Sequence, residues 1–158
     1  MIKKHIWLLS LFYFACETSE PLKHPLDKSQ VRTLVLENEL RVYLLSDPKF
    51  NVSSASVSVQ VGSLDNPEDR QGLAHFLEHM LFLGTEKYPD VDEYSSYLRN
   101  NGGYSNAYTA SDLTNYQFQV LPDAFEGAID RFSQFFISPL FTEEYTAREV
   151  NAVNSEHQ

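Results

Sequence analysis

The sequence predicts an α+β domain, a mixed or antiparallel sheet packed with helices. Three observations lead there. Between residues 31 and 121 there are short runs in which apolar residues alternate or cluster with β-branched and aromatic character. Between and after them lie segments whose apolar residues recur three and four apart, the spacing of a helix face. Gly, Pro, Asn and Asp punctuate the joins. The chain of 158 residues is 42% hydrophobic and 13% aromatic, enough to fill one core.

Taken in order, residues 31–36 and 40–45 read as two strands joined by a turn at Glu37-Asn38-Glu39, the second strand ending at Asp47-Pro48. Residues 53–61 form a half-buried strand, with Ala55, Val57, Val59 and Val61 on one face. Gly62-Ser63 and Asn66-Pro67 open a polar loop, and residues 72–83 form a helix with an apolar body. Asp90 or Asp92 can cap a second helix through Tyr94, Tyr97 and Leu98, stopped by Asn100-Asn101-Gly102-Gly103. Residues 104–109 and 113–121 read as antiparallel strands turning near Ser111-Asp112. Pro122-Asp123 starts a third helix, in which Glu126 can complete a capping box and Phe125, Ile129, Phe132 and Phe136 share a face. After Pro139, Thr142 can cap a last helix that meets no stop signal before Gln158, so the sequence is expected to continue into a larger protein. The sum is about five strands and four helices.

The first residues are read apart from the fold. Lys3, Lys4 and His5 precede an apolar stretch from Ile6 to Ala15, too short to span a bilayer and suited to a signal peptide. Residues 1–16 are thus expected to direct export to a periplasmic or membrane-anchored location. The only cysteine, Cys16, follows Ala15 directly, where a bacterial lipoprotein would be cleaved and lipidated. Membrane attachment through an acylated Cys16 is therefore one of two readings, the other being an ordinary signal peptide with an incidental cysteine. Residues 17–30 are polar, contain Pro21 and Pro25, and suit a tether. Residues 31–158 are the folded part. A net charge of −10 with no concentrated basic stretch beyond the first residues excludes a nucleic-acid partner.

The chemistry concentrates in His75-Phe76-Leu77-Glu78-His79. Imidazoles four apart on a helix lie on one face and can reach a single ion, while Glu78 stands beside that ion. Zinc held by two neutral imidazoles needs a further ligand, and hydrolysis needs an open position for water. A carboxylate near that water can take its proton and deliver it to a leaving amine. The order His-x-x-Glu-His is the inverzincin signature. Phe76, Leu77, Met80, Leu81, Phe82 and Leu83 make the helix mostly buried, and buried ionisable groups need partners.

The sequence resembles the amino-terminal catalytic segment of the insulinase or pitrilysin family of zinc metallopeptidases. The resemblance runs from about Val31 to Gln158. It is carried by residues 72–85 around the histidines, by Asn106-Ala107-Tyr108-Thr109, and by Asn151-Ala152-Val153-Asn154-Ser155-Glu156-His157. It implies a zinc-dependent endopeptidase with one Zn2+, ligated by His75, His79 and Glu156, with Glu78 as general base. Glu149, seven residues before Glu156 and so on the same helix face, is implied to act behind the ligands. Asn106, Ala107 and Tyr108 are implied to contact a peptide substrate along a strand edge. The family builds a chamber from two related halves, so the resemblance also implies that a carboxy-terminal half or a partner subunit is missing here. Three further possibilities stand beside it: a processing-peptidase subunit that needs a partner chain, an exported zinc-binding protein that cuts no peptide, and a non-catalytic paralogue serving as a scaffold subunit.

Overall fold

The computed structural model describes residues 23–156. The signal-peptide reading, Cys16 and His157 lie outside them. The chain divides into two compact units, Met1–Pro48 and Lys49–Gln158.

In the first unit, β1 (Gln30–Val35) and β2 (Arg41–Ser46) form an antiparallel hairpin in which Gln30 pairs with Ser46 and Val35 with Arg41. The turn lies where Glu37-Asn38-Glu39 predicts it. The Leu36 N–H donates to the Leu40 carbonyl at 2.9 Å, and Glu39 takes a left-handed φ of 65° to close the loop.

The second unit is built on a three-stranded antiparallel sheet in the order β3 (Ser53–Val59), β5 (Thr114–Val120), β4 (Tyr104–Thr109). The two-residue repeat of a strand puts Tyr116, Phe118 and Val120 of β5 on one face with Ala55 and Val57 of β3 and Ala107 of β4. On the other face Asn115 is buried by its own hydrogen bonds, donating to the Ser56 and Ser58 hydroxyls at 2.9 and 2.8 Å. Against the apolar face pack α2 (Glu93–Asn100) through Tyr94 and Leu98, and α3 (Phe125–Gln134) through Ala128 and Phe132. Aromatic edges meet faces throughout: Phe118 with Phe132 at 5.1 Å, Phe82 with Phe135 at 5.1 Å and Tyr94 with Phe135 at 4.9 Å between ring centroids. α1 (Leu73–Met80) and α4 (Glu143–Glu156) complete the unit and pack on one another.

The predicted elements are all present, with differences at their ends. The strand read as 53–61 ends at Val59, and Val59 and Val61 are exposed, so only Ala55 and Val57 of the expected face reach the core. The helix read to residue 83 is α-helical to Met80. Its last turn tightens, the Phe82 and Leu83 N–H groups donating to carbonyls three residues back before Gly84 turns the chain with φ 95°. Asp92 forms no side-chain cap because its backbone is already helical, at φ −90° and ψ −9°. Asp90 instead closes a turn just ahead of the helix, its carboxylate accepting from the Asp92 N–H at 2.9 Å. The Glu126 capping box does not form either. The chain enters α3 through a 3-10 turn, Pro122–Ala124, that places Asp123 inside the turn and Ala124 at the cap. Phe136 lies just past the end of α3 at Gln134 and is 40% exposed, yet its ring still packs edge to face on Phe132 and Tyr116. The stop after α2 forms as read: Gly102 takes φ 67°, and Gly103 and Gly102 donate to Leu98 and Arg99 carbonyls, a Schellman closure.

Two links set where α1 and α4 stand. At its start, α1 is capped from outside: the Ala74 N–H donates to the Asn66 side-chain oxygen at 2.9 Å. The Asn66 loop is zipped in turn to the β4–β5 connection, Ser63 and Leu64 donating to the Ala110 and Ser111 carbonyls. Gly62 is required there, since a Cβ would stand 2.5 Å from the Ala110 oxygen. Beyond the end of α1, Thr85 bridges to Pro139, and the Leu140 N–H donates to the Gly84 carbonyl, which fixes the entry to α4. The same loop is held to α3 by Lys87 and the Tyr88 hydroxyl, both on Asp130, and by Arg131, whose guanidinium lies over Tyr88 and Tyr97 while pairing with Glu93. These hydrogen bonds, Lys87 first and Tyr88 next, hold the Asp130 carboxyl below its usual value.

Two outcomes follow. Phe132 is 1% exposed, and Phe132→Ala is expected to destabilise the domain by about 3–5 kcal/mol, read from denaturant unfolding. A carboxyl whose folded pKa is depressed stabilises above its unfolded pKa and loses that contribution as pH falls through the folded one. The stability advantage of the wild type over Asp130→Asn should therefore hold at neutral pH and shrink as pH drops below about 3.8, the ordinary value for the group, in thermal melts run across acid pH.

Candidate metal centre

His75, Glu78 and His79 all lie on α1, which places the two imidazoles one helical turn apart and their rings edge to face at 4.8 Å. α4 crosses this face with Glu149 and Glu156, two turns apart on one side of the helix. The structure thereby gathers into one place every residue of the predicted ligand set and the glutamate predicted to stand behind it.

Three atoms converge. His75 Nε2 is 3.2 Å from His79 Nε2, and Glu156 Oε2 is 3.3 Å from the first and 3.6 Å from the second. Ligands roughly 2.0–2.2 Å from a tetrahedral zinc stand ~3.3–3.6 Å from one another, so these spacings are the edges of a zinc coordination tetrahedron. The chemistry of the donors agrees. Glu149 Oε2 lies 3.1 Å from His79 Nδ1 and accepts its proton, which leaves the Nε2 lone pair aimed into the cluster. Imidazole lone pairs and a carboxylate oxygen at such distances repel one another unless a cation lies among them. His75, His79 and Glu156 thus fit a single zinc ion, with three protein ligands and a fourth position for water or substrate. Glu149 is largely buried, with 13% of its side chain exposed against 54% for Glu156, and its other oxygen receives Arg148 Nε at 3.2 Å.

Glu78, between the ligands, is 7% exposed. A carboxylate so buried needs a hydrogen-bond donor, and it has one: the Thr109 hydroxyl donates to Glu78 Oε2 at 2.5 Å. Tyr116 lies near enough that burial first, and the Glu78 charge second, push its phenol well above the usual tyrosine range. The sequence singles out neither residue. Thr109 stands within the quoted Asn106-Ala107-Tyr108-Thr109 run, but nothing in a single sequence links it to a glutamate thirty-one residues earlier.

Asn106, Ala107 and Tyr108, expected from the sequence to contact substrate, lie on β4, the outer strand of its sheet, whose far side pairs with no other strand among the described residues. Asn106 and Tyr108 are exposed on the face opposite the core, while the Ala107 side chain packs against the core. Glu144, read as a solvent-facing residue near the start of the last helix, is exposed.

Comparison with known proteins places this geometry. The model of Insulinase (Peptidase family M16) matches residues 41–158. The chain is 58% identical over 132 residues to the insulin-degrading enzyme of Drosophila melanogaster, covering 84% of this chain and 13% of the relative. It is 53% identical over 142 residues to insulin-degrading enzyme-like 2 of Arabidopsis thaliana, covering 90% of this chain and 15% of the relative. Among solved structures, the crystal structure of pitrilysin superposes with a TM-score of 0.81 at 42% identity, over 88% of this chain and 15% of that one. A protease from Helicobacter pylori gives a TM-score of 0.74 at 26% identity, over 80% of this chain and 30% of that one. With the matched segment spanning both histidines, Glu78 and Glu156, the chain belongs to the insulinase family, peptidase family M16.

Proposed function

We propose that the protein of which this chain is a part is a zinc-dependent endopeptidase that cuts peptides or small unfolded proteins, with Glu78 as its general base. One observation supports this above the others: three donor atoms stand at the spacing of the corners of a zinc tetrahedron, and the helix that supplies two of them carries a buried glutamate between them. Zinc bound by His75, His79 and Glu156 would supply a Lewis acid that polarises water and the scissile carbonyl. Glu78, with Oε2 held by Thr109, takes a proton from the attacking water on its other oxygen. It passes that proton to the amide nitrogen as the C–N bond breaks. Glu149 keeps the His79 ring in place and in the tautomer that presents Nε2 to the metal.

The outer edge of β4 offers a peptide the N–H and C=O groups of an unpaired strand, which aligns an extended chain with little demand on its sequence. Asn106 and Tyr108 add side-chain contacts, and Ala107 contributes through its backbone. Because the chain covers 13% to 15% of the curated relatives named above, turnover is proposed for the longer protein, with polypeptide beyond this chain completing the substrate chamber. Export, with or without an acylated Cys16, is proposed from the basic and apolar first residues; intact mass of the membrane-extracted protein distinguishes the two forms.

In the full-length protein, Glu78→Gln is expected to lower hydrolysis of a fluorogenic peptide roughly 10²- to 10⁴-fold while metal analysis still finds zinc bound. Near-normal turnover would remove Glu78 from the role of base. Glu149→Ala should weaken zinc binding roughly 10- to 100-fold in competition with a chelator of known affinity, since the His79 ring loses its acceptor.

A further inference from the structure

The base and the peptide-bearing strand are joined by one hydrogen bond. Thr109 is the last residue of β4, three residues along from Asn106 on the strand proposed to hold the substrate. Its hydroxyl donates to Glu78 Oε2. We infer that Thr109 is a positioning residue that locks the Glu78 carboxylate in one orientation and ties it to β4, so that base and scissile bond keep a fixed separation.

The direction of the bond is settled by proton count. A threonine hydroxyl has one proton, and Thr114, opposite Thr109 in the β4–β5 register, gives its own to the Val61 carbonyl at 2.9 Å. The Thr114 oxygen lies 3.4 Å from Thr109 Oγ1, too far to compete with the 2.5 Å contact to Glu78. The ionised carboxylate can only accept, so the Thr109 proton goes to Glu78. Thr109 is itself stiff, since a β-branched side chain in a strand has little choice of χ1. Thr114 is buried and anchored to the backbone at Val61, which backs Thr109 with a residue that cannot swing away. One carboxylate oxygen is therefore engaged, and the other alone is left to exchange protons with water and the leaving amine. Rotation of the carboxylate would cost the hydrogen bond at each turnover.

This inference rests on the reading of Glu78 as base, and the experiment separates the two. In the full-length protein, wild type, Glu78→Gln, Thr109→Val and Thr109→Ser are compared for kcat and KM on a fluorogenic peptide, zinc content and thermal midpoint. The zinc-free Thr109→Val protein is also crystallised. Valine keeps the branched shape and removes only the hydroxyl, whereas serine keeps the hydroxyl. Thr109→Val should lose roughly 10- to 100-fold in kcat with KM within about twofold and with about one zinc per chain, as expected for loss of a hydrogen bond to a charged group. Thr109→Ser should stay within about threefold of wild type, and the Thr109→Val crystal should show the Glu78 carboxylate turned from its wild-type position. If Thr109→Val does not fold, Thr109→Ala carries the same comparison against serine. Unchanged kcat in the variant lacking the hydroxyl, or an equal loss in Thr109→Ser, with a wild type that is active and a Glu78→Gln that is not, would overturn the role of Thr109 alone. A wild type without chelator-sensitive hydrolysis, or an active Glu78→Gln, would overturn the reading of Glu78 and this inference with it.

Discussion

Bringing two imidazoles and two carboxylates together is a constraint before it is a function. Without a cation, the carboxylates of Glu149 and Glu156 repel one another, and the single hydrogen bond from His79 to Glu149 is a small return for gathering them. The contact of α1 with α4 must therefore be set by other forces, and the fold supplies them at both ends of α1. Asn66 fixes its start through the loop zipped to Ala110 and Ser111, and the Thr85 bridge to Pro139 fixes the path from its end to α4. The aromatic packing of Phe82, Tyr94 and Phe135 beneath keeps that path from shifting. A preorganised site of this kind costs stability without its cation and recovers it on binding, which couples metal affinity to the packing of residues that never touch the metal.

The sheet has a second task. Its apolar face carries Tyr116, Phe118 and Val120 in the core, and the same face at the end of β4 presents Thr109 to the buried Glu78. Period-two alternation thus delivers a core and the contact to Glu78 from one strand pair. Slipping β4 by one residue would turn Thr109 to the opposite face and bring Tyr108 inward, so the register at Thr109 and Thr114 is as much part of the site as the ligands are.

The sequence made most of this visible where the signal is local. The His75–His79 spacing, the hairpin at Glu37-Asn38-Glu39 and the Gly102 stop are read within a few residues, because helix periodicity and left-handed φ act over that range. The fold class was visible for the same reason. Helix starts were harder. Asp123 and Glu126 have the residue types of a capping box, yet a 3-10 turn moves the start of α3 by a residue, and at α2 the Asp90 side chain is spent on a turn before the helix while Asp92 caps nothing. Contacts between distant residues were not legible without the family resemblance. Glu156 gains meaning only when α4 is laid on α1, and Thr109 only when β4 is laid beside Glu78. Asn66 looked like any loop residue, since its partner is the N–H of a helix that begins on the far side of the loop.

The outer side of β4 has one more consequence. Between Tyr104 and Thr109 the strand contains no charged residue and no proline, two of the devices by which edge strands discourage unwanted pairing. Backbone groups open along a strand edge can pair with any extended segment, a second copy of the same strand included. Openness to varied peptides and vulnerability to self-association are the same property of those backbone groups, and a protein that relies on the first must keep that border screened by some other part of its structure.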